Sequence, residues 1–357
     1  MTVDVPEGGW GRALRRPVLL LLVGLLFVSG CLPYSCRREP DRALFPSDSL
    51  SRRVAGTVAA DTLRAVGASA GTAAHPLAYP RTVRFVDSTL VLSDAERNSL
   101  FRFGPDGTFR REVADPAFDV PYLIGHRGDT LAVFSAGADR VDFVVDGRRL
   151  ADRAVPYDRP SREALVYMLA TDTALYAKVV GPATDGHVAR LDGQGAVVAR
   201  APLEGPSWRR AGFLRAWGDS LVSLAGYRPV VHRLPGGFAD GARPDSLALV
   251  GFDSPMLARS RAYAAGDVDK PPLLSASAAA VGDTLFVLNL RPGWVQIDAY
   301  GPDGRLRRRL VEPHRGGNRD FYAVDLDARR TDAGYRFAVA VRSPEPRLEL
   351  FRWAPEP

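Results

Sequence analysis

Residues 282–290 read GDTLFVLNL, an acid and a small polar residue followed by an apolar run. The phrase returns as DSTLVLSD (87–94), GDTLAVFSA (128–136), DTALYAKVV (172–180) and GDSLVSLAG (218–226), with a weaker sixth copy, DAGYRFAVAV, at 332–341. Marked by Leu90, Leu131, Leu175, Leu221, Leu285 and Tyr335, the copies stand 41, 44, 46, 64 and 50 residues apart. A period of this length belongs to a repeat architecture and outranks any reading of single elements.

Each copy expands into short strands separated by turn residues; in the fifth they are SASAAAV, TLFVLNL, WVQIDAY and RLRRRLV. The turn between the third and fourth strands is written GPDG at both 104–107 and 301–304. Pro105 and Pro302 pre-set φ for a type I turn, and Gly107 and Gly304 accept the left-handed conformation that follows. VDG (145–147), DGQG (192–195) and LPGG (234–237) take the same place in copies two to four. Four-stranded antiparallel units repeated six times predict an all-β, six-bladed β-propeller. The sixth copy supplies only three strands, FYAVDLD, YRFAVAV and RLELFRW, before the sequence ends. DTLRAVG (61–67) resembles DSLALVG (245–251), the fourth strand of copy four. The last blade is therefore expected to be closed by this N-terminal strand, which removes a free sheet edge.

The stretch LVLSDAERNSLFRFGPDGTF (90–109) resembles an NHL repeat, the blade of one class of six-bladed propeller. The mature chain as a whole is similar to the six-bladed propeller lipoproteins common in Bacteroidota-type bacteria. That resemblance implies the fold and an exported address, and names no reaction.

The first thirty residues place Arg12, Arg15 and Arg16 before an apolar run, Pro17 to Gly30, that ends in VSGC. This is a signal-peptide layout. Fourteen helical residues rise about 21 Å, short of the roughly 30 Å hydrocarbon core, so a permanent membrane span is the weaker reading. VSGC resembles a lipobox, which implies acylation of Cys31; the competing reading is an ordinary secretory signal with a coincidental cysteine. Arg15 and Arg16 lack the polar residue that precedes a twin-arginine pair. The domain expectation is thus residues 1–30 as lipoprotein signal peptide, 31–57 as a lipidated tether of mixed charge with Pro, Ser and Gly, and 58–357 as the propeller. With Cys31 lipidated, Cys36 is the one remaining thiol, so no intrachain disulfide is expected. The address is the cell envelope, anchored to a membrane, with the outer membrane favoured and the propeller outside the cytoplasm.

Residues 1–30 hold three of the chain's 47 basic and two of its 41 acidic residues, leaving +5 on the rest. Only Lys178 and Lys270 are lysines. No basic motif interleaved with aromatics points to nucleic acid. GASAG at 67–71 satisfies the nucleophile-elbow pattern around Ser69, but Pro76 and Pro80 oppose the helix that an elbow requires. His75, His126, His187, His232 and His314 lack the local spacing of a zinc site. Asp325 and Asp327 form a D-x-D on an inner strand, facing one side, where a cation or arginine partners are the two readings. No catalytic residue, metal or cofactor is expected. The arginines at 305 and 307–309 are assigned to an outermost edge strand, where charge prevents sheet-to-sheet association. Segment 233–272 explains the long fourth interval, and SPMLARSRAYAA within it predicts a short helix with Ser254 as cap and Pro255 in the first turn.

In an antiparallel meander the loops joining second to third strands share a face with the connections between blades. Five of those loops carry an arginine: Arg97, Arg140, Arg228, Arg291 and Arg342. The inter-blade connections add Arg159, Arg162, Arg209, Arg210, Arg315 and Arg319, with Trp208 and Trp294 as stacking surfaces. The functional expectation is a monomeric ligand-binding or scaffolding module with Arg97, Arg140, Arg228, Arg291, Trp294 and Arg342 as its ligand-binding set. The ligand is an anionic small molecule, a glycan or a protein. The competing reading is a metal-dependent propeller hydrolase or lyase.

The lipobox reading has a direct test. A Cys31→Ala chain should be released from membranes, whereas the native protein should carry lipid on Cys31 by intact mass; a membrane-bound variant and an unlipidated native chain would refute the assignment.

Overall fold

The computed structural model of the protein describes residues 48–154, 164–181, 186–313 and 320–355. Cys31, the signal sequence and most of the expected tether lie outside the described residues. Among the described residues, no helix is long and apolar enough to cross a membrane.

The described chain opens with helix α1 (Asp48–Thr57), where the sequence reading assigned an unstructured tether. Leu50, Ser51, Val54 and Ala55 recur at the spacing of one helix face, and they are the residues turned from solvent. The Ser51 Oγ accepts the Gly251 N–H at 3.0 Å, and Val54 packs against the cluster containing Tyr300 and Leu306. Gly251, at φ +93°, leaves room for this approach, since a Cβ there would lie 2.7 Å from Leu306 and 2.9 Å from Val54. The docking face is too short and too polar to stand out as a period in sequence.

Two short strands follow, β1 (Ala60–Thr62) and β2 (Arg64–Ser69). The predicted closing strand at 61–67 is thus divided at Leu63. β1 adds to blade five in parallel, and β2 joins blade six antiparallel. Leu63, fully buried between them, anchors both, and its N–H donates to Val311 O at 2.9 Å.

Blade one is β3 (Pro80–Val86), β4 (Thr89–Asp94), β5 (Ser99–Phe103) and β6 (Phe109–Ala114). Blade two is β7 (Pro121–Arg127), β8 (Thr130–Ser135), β9 (Arg140–Val145) and β10 (Arg148–Ala154). Blade three is β11 (Leu165–Ala170), β12 (Leu175–Val180), β13 (His187–Leu191) and β14 (Val197–Pro202). Blade four is β15 (Leu214–Trp217), β16 (Ser220–Ala225), β17 (Val230–Pro235) and β18 (Asp245–Ala248). Helix α2 (Leu257–Ala265) leads to blade five: β19 (Ser275–Val281), β20 (Thr284–Asn289), β21 (Gln296–Tyr300) and β22 (Leu306–Val311). Blade six is β23 (Tyr322–Thr331), β24 (Gly334–Ser343) and β25 (Arg347–Trp353), with β2 as its fourth and outer strand. The chain is a six-bladed β-propeller closed by an N-terminal strand.

The apolar run of each repeat is the blade's second strand, which is buried on both faces between neighbouring blades. Six apolar clusters each fill one junction. Leu100 and Val91 meet Leu131 and Val144 across blades one and two. Phe134 meets Val179 across two and three, and Val188 meets Leu221 across three and four. Val231 meets Tyr300, Phe286 meets Phe337, and Leu348 meets Phe101 at the remaining three.

The duplicated GPDG turn has one reason in both places. Gly104 and Gly301 donate across the turn to Thr108 O and Arg305 O, at 2.7 and 3.0 Å, and Gly107 and Gly304 take φ +88° and +73°. Each turn tip also presses on the preceding blade: a Cβ on Gly107 would meet Leu350 at 3.2 Å, and one on Gly304 would meet Ala248 O at 2.3 Å.

On the innermost strands a fully buried carboxylate, Asp325, ties four blades together. Its Oδ2 accepts the Val83 N–H at 2.9 Å and Arg84 Nη1 at 2.6 Å, from blade one. Its Oδ1 accepts Arg215 Nη2 from blade four and Ser277 Oγ from blade five, both at 2.5 Å. Asp327 sits two residues on and accepts the Phe85 N–H at 2.7 Å. The D-x-D is therefore arginine- and backbone-paired. Burial works to raise the Asp325 pKa, but Arg84, Arg215 and the hydrogen bonds outweigh it and hold the carboxyl below its ordinary range.

Two outcomes follow from this architecture. Leu63→Ala should cost about 2–5 kcal/mol, and deletion of residues 58–69 should lower the thermal midpoint by roughly 10 °C or more; unchanged midpoints would refute closure by this segment. Asp325→Asn strands two nearly buried guanidiniums and should cost about 3–5 kcal/mol by chemical denaturation at neutral pH. Because the folded pKa is depressed, the carboxylate's contribution is present above the unfolded value near ~3.9 and is lost as pH falls through the folded value. The gap between wild type and variant should therefore close in acid, and a gap independent of pH would argue against the ionic tie.

Candidate axial binding site

The six innermost strands, β3, β7, β11, β15, β19 and β23, surround a cavity of about 290 Å³. Four of them are irregular there: the ladder slips past Arg81 in β3, Ile124 in β7, Ala276 in β19 and Val324 in β23. All four skipped residues line the cavity. A bulge re-aims a side chain that regular alternation would send elsewhere, so these slips compose the wall.

At the mouth the Arg81 guanidinium lies over the Tyr79 ring, 4.3 Å from its centroid, and 5.4 Å from that of Tyr122. Arg342 faces the Tyr79 and Tyr322 rings at 5.0 and 4.5 Å, and its Nη1 donates to the Tyr79 hydroxyl at 2.6 Å. Tyr79 is itself held by Asp94, which accepts its N–H at 2.9 Å from inside the DAERN loop. Among the described residues neither Arg81 nor Arg342 has a carboxylate within ion-pair distance, and the Arg81 Nε is buried without a hydrogen-bond partner. Burial raises the hydroxyl pKa values of Tyr122, Tyr167, Tyr227 and Tyr322, so all four rings stay neutral at physiological pH. Tyr227 owes its place to the insertion, since Ser260 Oγ of α2 donates to Tyr227 O at 2.7 Å. Helix α2 matches the predicted one in position. It starts at Leu257, however, with Ser254 outside the cap and bonded to the Met256 N–H at 3.2 Å.

Below the tyrosines the wall is apolar, with Ile124, Met168, Phe213 and Val324. Arg84 and Arg215, already bonded to Asp325, close the floor. Beside the wall, fully buried Lys178 donates to Gly212 O at 2.6 Å and Leu224 O at 2.8 Å. Burial, reinforced by Arg228 and Arg210, lowers its pKa well below the ordinary lysine value.

Of the six residues expected to bind ligand, only Arg342 faces the cavity. Arg97 pairs with Glu112 at 3.2 Å, and Arg140 with Asp142 at 2.8 Å. Arg291 pairs with Asp253 at 2.9 Å. Arg228 is buried, donating to Arg209 O and to His232 Nε2. Trp294 sits beside β1 at the outer edge of blade five. Arg97 and Arg140 thus find an acid on their own sheet, Arg291 finds one in the insertion before blade five, and Arg228 is held by a carbonyl and an imidazole. Of the inter-blade arginines, Arg210 is buried against Leu203 O and Arg209 lies over Trp208, while Arg159, Arg162, Arg315 and Arg319 lie outside the described residues. The arginine run on β22 is not at a bare edge either, because β1 pairs outside it and Arg309 is tied to Asp298 at 3.1 Å.

Two catalytic arrangements can be tested against this geometry. Ser69 ends β2 and leads into a turn rather than a helix. Ser246 Oγ lies 3.1 Å from His232 Nδ1, but Arg228 donates to Nε2, so the ring proton sits on Nδ1 and points at the serine. Burial and then Arg228 push the imidazole pKa down to about 3, leaving no base to activate Ser246. Among the described residues, no group of three or more His, Cys, Asp or Glu side chains is placed to hold a metal ion.

No protein-family model matches the chain, and no curated protein matches it in sequence. Solved structures do share its shape. A putative exported protein from Bacteroides fragilis is 12% identical with a TM-score of 0.52, covering 82% of this chain and 95% of that one. A calcium-binding protein, regucalcin, from Agrobacterium tumefaciens is also 12% identical at 0.52, covering 83% and 99%. The β-propeller domain of Cps50 (Swd1) from Myceliophteria thermophila is 11% identical at 0.52, covering 82% and 100%. Proteins as unlike as these at equal similarity establish the propeller fold and leave the chemistry to the residues of this chain.

Proposed function

We propose that the chain is an exported, lipid-anchored binding protein that captures a small anionic ligand at the axial mouth of its propeller. The observation that carries this reading is the pair Arg81 and Arg342, two guanidiniums without an acid partner among the described residues, both lining the axial cavity. A buried donor lacking an acceptor bears a desolvation penalty that an incoming anion removes. The neutral tyrosine hydroxyls around the mouth are further donors, and the charge-balanced floor offers a second anion nothing. The lipobox-like VSGC and the signal layout support an envelope address, with Cys31 as the anchor and a single propeller as the working unit. Binding is favoured over turnover because the Ser246–His232 pair is held in an unreactive tautomer.

The test is calorimetric titration of acetate, benzoate and inorganic phosphate against the wild type and an Arg81→Gln, Arg342→Gln double variant. At least one anion should bind saturably and lose tenfold or more in the variant, since a charge-assisted hydrogen bond is worth about 1.5–3 kcal/mol. Binding should also weaken between low and physiological salt. Absence of saturable binding, or equal affinities in both proteins, would overturn the reading.

A further inference from the structure

Resting on that anion site, we infer that the ligand is a small aromatic carboxylate, its acid group at Arg81 and Arg342 and its ring in the cavity below. Three features select this class over a bare anion or a flexible chain.

The first is the layering of the cavity. Arg81 and Arg84 lie on the same inner strand, as do Tyr322 and Asp325, so in both cases mouth and floor stand three steps apart along the strand. At about 3.3 Å per residue in a regular strand, and less where these strands bulge, the chamber is at most roughly 10 Å deep, the length of one fused ring system with its carboxylate. Its volume of about 290 Å³ stands at the small end of ligand pockets, which excludes a peptide or an extended glycan from the interior.

The second is what the chamber is made of. Between the two arginine levels the wall offers apolar and aromatic surface, with Phe213 and Tyr167 set edge to face at 5.4 Å and 75°. A phosphate or sulfate would leave this surface uncovered. A ring would cover it and add contacts to Phe213 and Tyr167 in the offset and edge geometries that aromatic pairs prefer.

The third is the charge balance from top to bottom. Arg84 and Arg215 at the floor share Asp325, whose oxygens are fully engaged, and Asp327 stands beside them. The far end of the ligand therefore needs no charge of its own. At the mouth, both guanidinium carbons lie against the Tyr79 ring, 4.3 and 5.0 Å from its centroid, and a guanidinium is a planar fork suited to a carboxylate.

The experiment titrates the purified full chain with four probes: 1-naphthoate, octanoate, inorganic phosphate and the uncharged 1-naphthylmethanol. Each is repeated with the Arg81→Gln, Arg342→Gln variant and with Ile124→Trp, which fills the chamber without touching the mouth arginines. 1-Naphthoate should bind at least tenfold more tightly than the other three and lose tenfold or more in both variants. Far-ultraviolet circular dichroism and the melting midpoint establish that each variant is folded, and Met168→Trp replaces Ile124→Trp if that variant is not. Octanoate or phosphate binding as tightly as 1-naphthoate, with the same dependence on Arg81 and Arg342, would overturn the aromatic class while leaving the anion site standing. 1-Naphthylmethanol matching 1-naphthoate would remove the anion site as well, and no saturation by any probe would overturn both.

Discussion

A six-bladed ring brings six inner strands around one axis, and the side chains at that axis must be reconciled across blades far apart in sequence. Here Asp325 does this. Its four hydrogen bonds reach Val83 and Arg84, Arg215, and Ser277, so a single buried carboxylate links blades one, four, five and six. Buried ion pairs are poor sources of net stability, because desolvation offsets most of the Coulomb attraction. Their value lies in geometry, since a charged hub selects which residue of each converging strand it meets. The cavity exists because this hub is a floor that apolar side chains cannot collapse through.

Much of the fold was legible in the sequence because the physics repeats. Every second strand is buried on both faces, so each repeat contains a mainly apolar run, and the tight outer hairpins of blades one, two, three and five each hold a left-handed residue. The incomplete sixth repeat announced that a strand must come from elsewhere. The division of that segment at Leu63 was not legible, because DTLRAVG reads as one strand and only the parallel pairing of β1 with β22 separates its halves. Helix α1 was hidden for a related reason: its docking relies on one hydroxyl, one valine and the bare Cα of Gly251, none of which makes a pattern.

The candidate site was far less legible, and the arginines show why. A loop arginine followed two residues later by an acid shares a strand face with it, so Arg140 with Asp142 and Arg347 with Glu349 are self-paired by spacing alone. That signal was available for Arg140 in the sequence. Arg342 has no acid at that spacing, and neither has Arg81. Arg291 is different, because its partner Asp253 comes from the insertion before blade five and no local rule connects the two.

Arg81 and its neighbours in the wall escape sequence reasoning for a deeper reason. Strand patterns are read by alternation, and alternation holds only where the ladder is regular. The inner strands of blades one, two, five and six each slip by a residue, and each slipped residue faces the cavity. The second and third strands of a blade pack against both neighbours and pair without a slip in all six blades. The inner strands border the cavity, where a bulge turned toward the axis disturbs little packing. Recognition can therefore diversify at the axis while the period survives outside it, which is why a chain can declare its propeller in every repeat and still place its binding residues where the repeat is broken.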